Sequence, residues 1–385
     1  MPIRVLLLLH EMSPTGAPKV ALSAFERFGD AVDLRTLAYL GGPLGSRFRA
    51  LGPVQTLVSQ SFPGMSAPLP ALARFAWHRT LSVAKARAWA GPLRRWKPDV
   101  VYVNSVAGLL VARRLALPPA PVLLHVHELV SVLAEFTRHS PPLIQTLPAR
   151  YIAVSQAVAD ALTERFEVDK DKVAVIPAFV EGDIAAPARA LRPPDAPFVV
   201  GGAGVINWFK GVQLWLLMAA ETKKRLGAGR VRFVWVGVPD NEEGWQFREM
   251  ARKLGLASDL ESMPFTPDPW AHYAGFDAFA LTSWQETASL ALLEAMLLER
   301  PVVCFRGSGG PWEFVGEAGV VIEDFSTGDM ADALAALAGD PDRRAALGKA
   351  ARRRVLDHFT ADRQAPKILA ELRRLVPQAG HDPPA

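Results

Sequence analysis

Short apolar runs alternate with longer amphipathic stretches along nearly the whole chain, and this alternation restricts the fold more than any other feature. The runs are Arg4–Leu9, Asp33–Leu37, Val100–Val103, Val122–Val126, Tyr151–Val154 and Val173–Ile176, then Phe198–Val200, Val231–Val236, Leu260–Met263, Ala278–Leu281, Pro301–Cys304 and Val320–Ile322. Between them lie Ala17–Phe28, Val106–Leu115, Ser155–Phe166, Val212–Leu226, Glu242–Leu254, Thr287–Glu299 and Met330–Ala338, each with helical spacing. A run that is apolar throughout suits a strand covered on both faces, so the pattern specifies parallel sheets flanked by helices. The alternation breaks once, at Ala185–Pro197 (AAPARALRPPDAP), which has no period and reads as a linker. The expected organisation is a doubly wound domain over residues 1–184, a linker over 185–197 and a second doubly wound domain over 198–360. A closing helix and frayed tail over 361–385 pack back toward the first domain. In such α/β folds the ligand sits at the carboxyl ends of the strands.

A length of 385 residues fits two cores better than one. Half of the residues are hydrophobic and 21% are charged, the balance of a globular protein rather than a disordered one. The single cysteine, Cys304, excludes an intramolecular disulfide and fits a reducing compartment. The apolar run Val5–Leu9 is too short to span a bilayer, so the expected location is cytoplasmic. The net charge of +4 is unevenly spread. Residues 74–97 carry Arg74, Arg79, Lys85, Arg87, Arg94, Arg95 and Lys97 without an acidic residue, interleaved with Trp77, Trp89 and Trp96. One reading places this stretch peripherally on an anionic membrane or around an acidic ligand; the other makes it a solvated helix face whose tryptophans belong to the core. No nucleic-acid-binding motif accompanies the charge, so nucleic acid is not an expected partner.

The segment Ser283–Arg300 (SWQETASLALLEAMLLER) carries the most chemical information. Glu286 precedes an expected helix start, with Thr287 and Ser289 available as caps, and Glu294 lies about two turns on, roughly 12 Å along the axis. Two carboxylates so spaced would each accept hydrogen bonds from sugar hydroxyls. The free N–H groups of Ala288, Ser289 and Leu290 between them would hold a diphosphate. Glu294 also interrupts the apolar run Leu290–Leu298, where an unpaired buried carboxylate is costly. On spacing alone, a helix with one capping and one solvent-facing glutamate stands equally well.

This Glu-x7-Glu pair, followed by Pro301–Cys304 and the glycines Gly307, Gly309 and Gly310, resembles the donor site of the retaining GT-B glycosyltransferases of family GT4 (glycosyl transferase group 1). Met263–Trp270 (MPFTPDPW), Tyr273–Phe276, Phe279–Ser283, Gly316–Ile322 (GEAGVVI) and Leu347–Ala351 resemble its flanking segments, and His10–Pro18 (HEMSPTGAP) its first-strand loop. The resemblance implies two Rossmann-like domains facing each other across a cleft, and a hexosyltransferase that takes a UDP- or GDP-sugar donor. It assigns Glu286 to the donor-sugar hydroxyls, Glu294 to the ribose and Lys210, in Asn207–Gly211 (NWFKG), to the diphosphate. His127 matches the N-terminal-domain histidine near the reacting sugar, and Gly16 the small residue that lets backbone approach the diphosphate. It implies no obligatory metal or other cofactor, and a front-face transfer with retention to a glycan or lipid-linked acceptor, as in cell-surface polysaccharide synthesis.

Many relatives carry an arginine shortly before the Lys-Gly pair, where this chain reads Gly204–Val205–Ile206. Arg306 is the candidate substitute. A metal held by His125, His127, Glu128, His10 and Glu11 is a further reading of the polar cluster. Phe198–Asn207 (FVVGGAGVIN) approaches a dinucleotide fingerprint, but Asn207 stands in place of the third glycine, which argues against a nicotinamide dehydrogenase. Two other functions stay open: a nucleotide-sugar epimerase of the same fold, and a catalytically silent relative that binds sugar or protein.

Overall fold

The computed structural model describes residues 1–58, 88–115, 120–139, 143–182 and 196–376. The chain forms two compact units, one of Met1–Pro177 with Ala361–Ala385 and the other of Ala178–Thr360. Most of the expected linker lies outside the described residues.

The first unit is built on a seven-stranded sheet whose pairings are all parallel. In chain order the strands are β1 (Ile3–Leu9), β2 (Val32–Leu40), β3 (Val54–Val58), β4 (Val100–Asn104), β5 (Val122–Val126), β6 (Arg150–Ala153) and β7 (Val173–Val175). The spatial order is β3-β2-β1-β4-β5-β6-β7, so the direction of winding reverses between β1 and β4. Val5 to Leu9 are fully buried, as an apolar strand covered on both faces requires. β3 is missing from the apolar-run pattern because it is an edge strand with Leu57 as its one buried residue.

The helix Gly16–Phe28 covers one face and packs against the returning helix Ala361–Leu375. Ala361, Ala365, Ile368 and Leu372 are fully buried at helical spacing. Glu371 shares their burial and is paired with Arg150 at 2.7 Å and Arg374 at 2.7 Å. Of the basic stretch, residues 74–87 lie outside the described residues. In the remainder, Trp96 is half-buried, donates its indole N–H to Asp33 at 2.8 Å and lies under the Arg35 guanidinium at 4.5 Å. That tryptophan serves the packing of its own domain, whereas Arg94, Arg95 and Lys97 face solvent.

The second unit carries six parallel strands: β8 (Phe198–Ala203), β9 (Val231–Val236), β10 (Leu260–Met263), β11 (Ala278–Leu281), β12 (Val302–Phe305) and β13 (Val320–Ile322). Their order is β10-β9-β8-β11-β12-β13, which places the winding reversal between β8 and β11. One face buries Val200, Phe233 and Trp235 under Trp215, Met218, Phe247 and Leu334 from the helices Val212–Leu226, Glu242–Lys253 and Thr327–Gly339. On the other, Phe279 stacks near Tyr273 and Phe276, and the helix Leu290–Leu297 lies between the sheet and the helix Pro341–His358. Enclosed on both sides, that helix is apolar almost all round. The unit's first and last segments lie side by side, because the Val180 N–H donates to the Phe359 carbonyl at 3.0 Å.

Among the described residues no helix is long and apolar enough to cross a membrane.

Candidate active site

Doubly wound sheets bind ligands where the winding reverses, because the loops leaving the two central strands part there. In the second domain those loops are Gly204–Gly211 after β8 and Thr282–Ser289 after β11. They bring together two of the expected residues: the Lys210 ammonium is paired with Glu286 Oε2, both side chains being largely buried.

Lys210 is fixed from its backbone outward. The Asn207 carboxamide accepts the Lys210 N–H at 3.0 Å and closes a short 3₁₀ turn. Gly211 then takes a left-handed conformation (φ 61°, ψ 38°). A Cβ on Gly211 would lie 2.0 Å from the Thr282 carbonyl oxygen, so only glycine lets the two loops touch. Thr282 locks the contact by donating its hydroxyl to the Gly211 carbonyl at 3.0 Å.

Glu286 is held by the glycine-rich loop after β12. Its N–H donates to the Ser308 carbonyl at 2.7 Å, and the Gly310 N–H donates to its carbonyl at 2.9 Å. Ser283 adds a hydroxyl to Glu286 Oε2 at 3.3 Å, and Ser308 donates to the Ser283 carbonyl at 2.6 Å. Ser283 and Ser308 are functional neighbours that sequence reasoning missed; nothing in a lone serine signals such a bridge.

The helix after Glu286 starts later than expected. It runs from Leu290 to Leu297, capped by Ser289, whose hydroxyl accepts the Leu292 N–H at 3.3 Å. Thr287 and Ala288 therefore precede the helix rather than opening it. The peptide at Glu286 is committed to the glycine-rich loop, and Ser289 is still extended, so the helix cannot begin at Thr287. Leu290 and Ala291 supply the first-turn N–H groups, and the axial estimate from Glu286 to Glu294 does not apply. Glu294 is 7% exposed, one turn into this helix. Burial, with the charge of Glu294 as a smaller contribution, raises the nearby Tyr273 phenol well above the usual range.

Arg306 stands after β12, but its guanidinium is engaged by Glu323 at 2.5 and 2.9 Å and lies 4.8 Å from the Trp312 ring centre. Its charge is therefore already matched within the domain.

The first domain has its own reversal, between β1 and β4. Gly16 is exposed there as the first residue of the helix following β1. His127, just past β5, has Nε2 3.0 Å from Asn104 Oδ1. Burial, with His10 nearby, holds its imidazole pKa well below the usual value. Its ring lies 4.1 Å from that of His125, which is bonded through Nδ1 to the Tyr102 hydroxyl at 2.5 Å. Glu128 accepts from the Ser105 hydroxyl and, at 3.0 Å, from the His127 N–H, and burial raises its carboxyl pKa. With these groups bonded to one another, no group of three or more His, Cys, Asp or Glu among the described residues is arranged to hold a metal ion.

The family described as Glycosyltransferase Family 4 matches residues 24–183, and that described as Glycosyl transferases group 1 matches residues 186–354. The D-inositol 3-phosphate glycosyltransferase of Stackebrandtia nassauensis is 32% identical over 235 residues, covering 55% of this chain and 51% of that protein. Its counterpart in Corynebacterium kroppenstedtii is 27% identical over 215 residues, or 52% of this chain and 48% of that one. The matched stretch thus spans about half the length of these curated relatives. Among solved structures, Anabaena HepE in complex with UDP-glucose superposes with a TM-score of 0.76 at 20% identity, over 97% of this chain and 100% of that one. A Rickettsia africae glycosyltransferase superposes with a TM-score of 0.73 at 16% identity, over 98% and 100% of the two chains. At such identities these structures establish the fold, which is GT-B. With family matches across both domains, the chain belongs to the group 1 glycosyltransferases of family GT4.

Proposed function

We propose that the chain transfers a hexosyl unit, with retention of configuration, from a nucleotide-diphosphate sugar to a glycan, lipid-linked or cyclitol acceptor. The observation that carries this reading is the meeting of Lys210 and Glu286 at the second domain's winding reversal, with the buried Glu294 one turn into the following helix. Glu286 takes donor-sugar hydroxyls, Glu294 the ribose, and Lys210 with the Leu290 and Ala291 amides the diphosphate. The lysine and the helix start stabilise negative charge as it grows on the departing diphosphate. His127, neutral and fixed by Asn104, orients the sugar rather than acting as a base. No carboxylate in this arrangement is free to act as a nucleophile, so the leaving phosphate oxygen takes the acceptor proton. The diphosphate is assigned to protein cations and amides, with no metal in the role.

The donor class draws support from the HepE complex with UDP-glucose, and the cyclitol option from the relatives named for D-inositol 3-phosphate. A cytoplasmic enzyme with peripheral membrane contact through residues 74–97 fits a lipid-linked acceptor. One observation favours a second reading, a silent sugar-binding relative: Val205 stands where relatives carry arginine, and Arg306 is already paired with Glu323.

A thermal-shift screen with UDP, GDP, ADP and their common sugar conjugates, repeated on Glu294→Ala, separates these readings. A ligand at a hundredfold its dissociation constant adds about 2.7 kcal/mol to the native state. A shift with one nucleotide family that is lost in the variant is the expected result. No shift with any nucleotide would sink the donor assignment, and a shift without measurable transfer or hydrolysis would favour the silent relative.

A further inference from the structure

The first domain's winding reversal contains polar atoms that the proposed reaction leaves unused. Among the described residues, Asn104 Nδ2, His125 Nε2 and His10 Nδ1 are buried without a hydrogen-bond partner. They belong to one place. Asn104 and His125 are direct partners in the β4–β5 register, and Leu9, which precedes His10, is the partner of Asn104 in β1. His127 ties the group together, bonded to Asn104, stacked on His125 and under the electrostatic influence of His10.

The remaining hydrogen bonds fix what two of the orphans offer. The Tyr102 phenol is completely buried and stays protonated, so at 2.5 Å it donates to His125 Nδ1. The His125 proton then resides on Nε2, which is a donor. Asn104 Oδ1 accepts from His127 Nε2, which leaves the Asn104 Nδ2 hydrogens as donors. His10 Nε2 lies 3.5 Å from Glu11 Oε1, and its Nδ1 is the third unpartnered atom. Two donors on register partners of β4 and β5, with an imidazole nitrogen one residue beyond the end of β1, suit an oxygen with two lone pairs. A cation is repelled by the two donors.

We propose that Asn104, His125 and His10 form a subsite for a single hydroxyl oxygen at the first domain's winding reversal. Native proteins rarely leave buried donors unpaired, and a cluster of them is satisfied by a bound oxygen or by nothing. The oxygen comes either from solvent or from a sugar or other polyol, and the chemistry of recognition is the same. The subsite does not depend on the donor assignment of Glu286 or on which sugar is transferred.

The test is a high-resolution crystal structure of the full chain, grown without polyols and then soaked separately with glycerol and with UDP-glucose. Selectively ¹⁵N-labelled histidine spectra accompany it. The expected result is an oxygen within hydrogen-bond distance of both Asn104 Nδ2 and His125 Nε2, and a neutral His125 protonated on Nε2. A water kept through both soaks identifies solvent as the source, whereas replacement by a glycerol or glucose hydroxyl identifies a polyol. An Nδ1-protonated His125, or ordered side chains at this position with no oxygen between them, overturns the proposal. Failure of UDP-glucose to bind anywhere would count against the donor site and leave the glycerol and solvent outcomes intact.

Discussion

At the second domain's winding reversal, the groups approaching from neighbouring strands carry opposite charges, Lys210 and Glu286. At the first domain's reversal they are neutral: His125 and His127 are both held below their ordinary pKa, and Asn104 meets them from the neighbouring strand β4. The topology is shared and the chemistry is not. A reversal point supplies diverging loops and exposed strand ends; what it recognises is set by the few side chains placed there. A charged pair suits a diphosphate and its sugar. A neutral, donor-rich cluster suits hydroxyls.

The largest effect that tests this contrast is removal of the charged pair's acid. Glu286→Ala should lower transfer by at least about a hundredfold, as loss of a preorganised polar group at a reacting centre does. The same substitution leaves the largely buried Lys210 ammonium without its partner, so thermal stability should fall as well. Unchanged turnover, measured with a donor identified by thermal shift, would remove Glu286 from the site.

Next comes the loop contact that carries Lys210. Gly211→Val places a branched side chain in a left-handed conformation with its Cβ 2.0 Å from the Thr282 carbonyl. The expected cost exceeds about 2 kcal/mol, the sum of backbone strain and a forced separation of the loops. Chemical denaturation would measure it, and nucleotide binding should weaken in parallel. Gly255, whose added Cβ meets nothing within 4 Å, has a φ of 72° just past a helix end and serves as the control for a positive φ alone.

The contrast was unequally legible in the sequence. Apolar runs marked twelve of the thirteen strands among the described residues, because strands covered on both faces leave little room for polar residues. The edge strand β3 escaped, since Val54–Val58 needs only Leu57 inside. At the charged reversal, Glu294 stood out as a carboxylate in an apolar run, whereas Glu286 and Lys210 took their assignments from the family resemblance. The true helix start did not, because both Thr287 and Ser289 can cap and only the tertiary bond from Glu286 to Ser308 decides between them. At the neutral reversal His127 was recognised by resemblance, but Asn104 was invisible: its importance lies in facing His125 across a strand register that is set only when β4 and β5 pair.

The neutral state of the two histidines has a sign that can be measured. An imidazole kept neutral by burial binds its proton less readily in the folded chain than in the unfolded one. Below the ordinary value near 6.5, the unfolded state gains protons first, so stability should fall as pH drops from about 6.5, with His127 resisting protonation to about 3. Glu128, whose carboxyl is raised by burial, acts with the opposite sign. Melting curves of the wild type and His127→Gln between pH 7 and 5.5 isolate the histidine: the variant should show the shallower dependence. Identical slopes, together with a His127 resonance that titrates near 6.5, would show that the first reversal is charged like the second.

The smallest effect concerns Arg306, and it bears on whether the charged reversal holds one cation or two. Its pair with Glu323 is exposed, with the two side chains 44% and 67% accessible, so the stability lost in Arg306→Gln should lie within about 0–1 kcal/mol. Its effect on nucleotide binding is the sharper measurement. If Lys210 and the helix amides suffice for the diphosphate, Arg306→Gln should leave UDP or GDP affinity within about twofold. A tenfold loss, equivalent to about 1.4 kcal/mol, would mean that Arg306 leaves Glu323 to bind the donor. Arg306 would then fill the place that the family resemblance gives to an arginine near Val205.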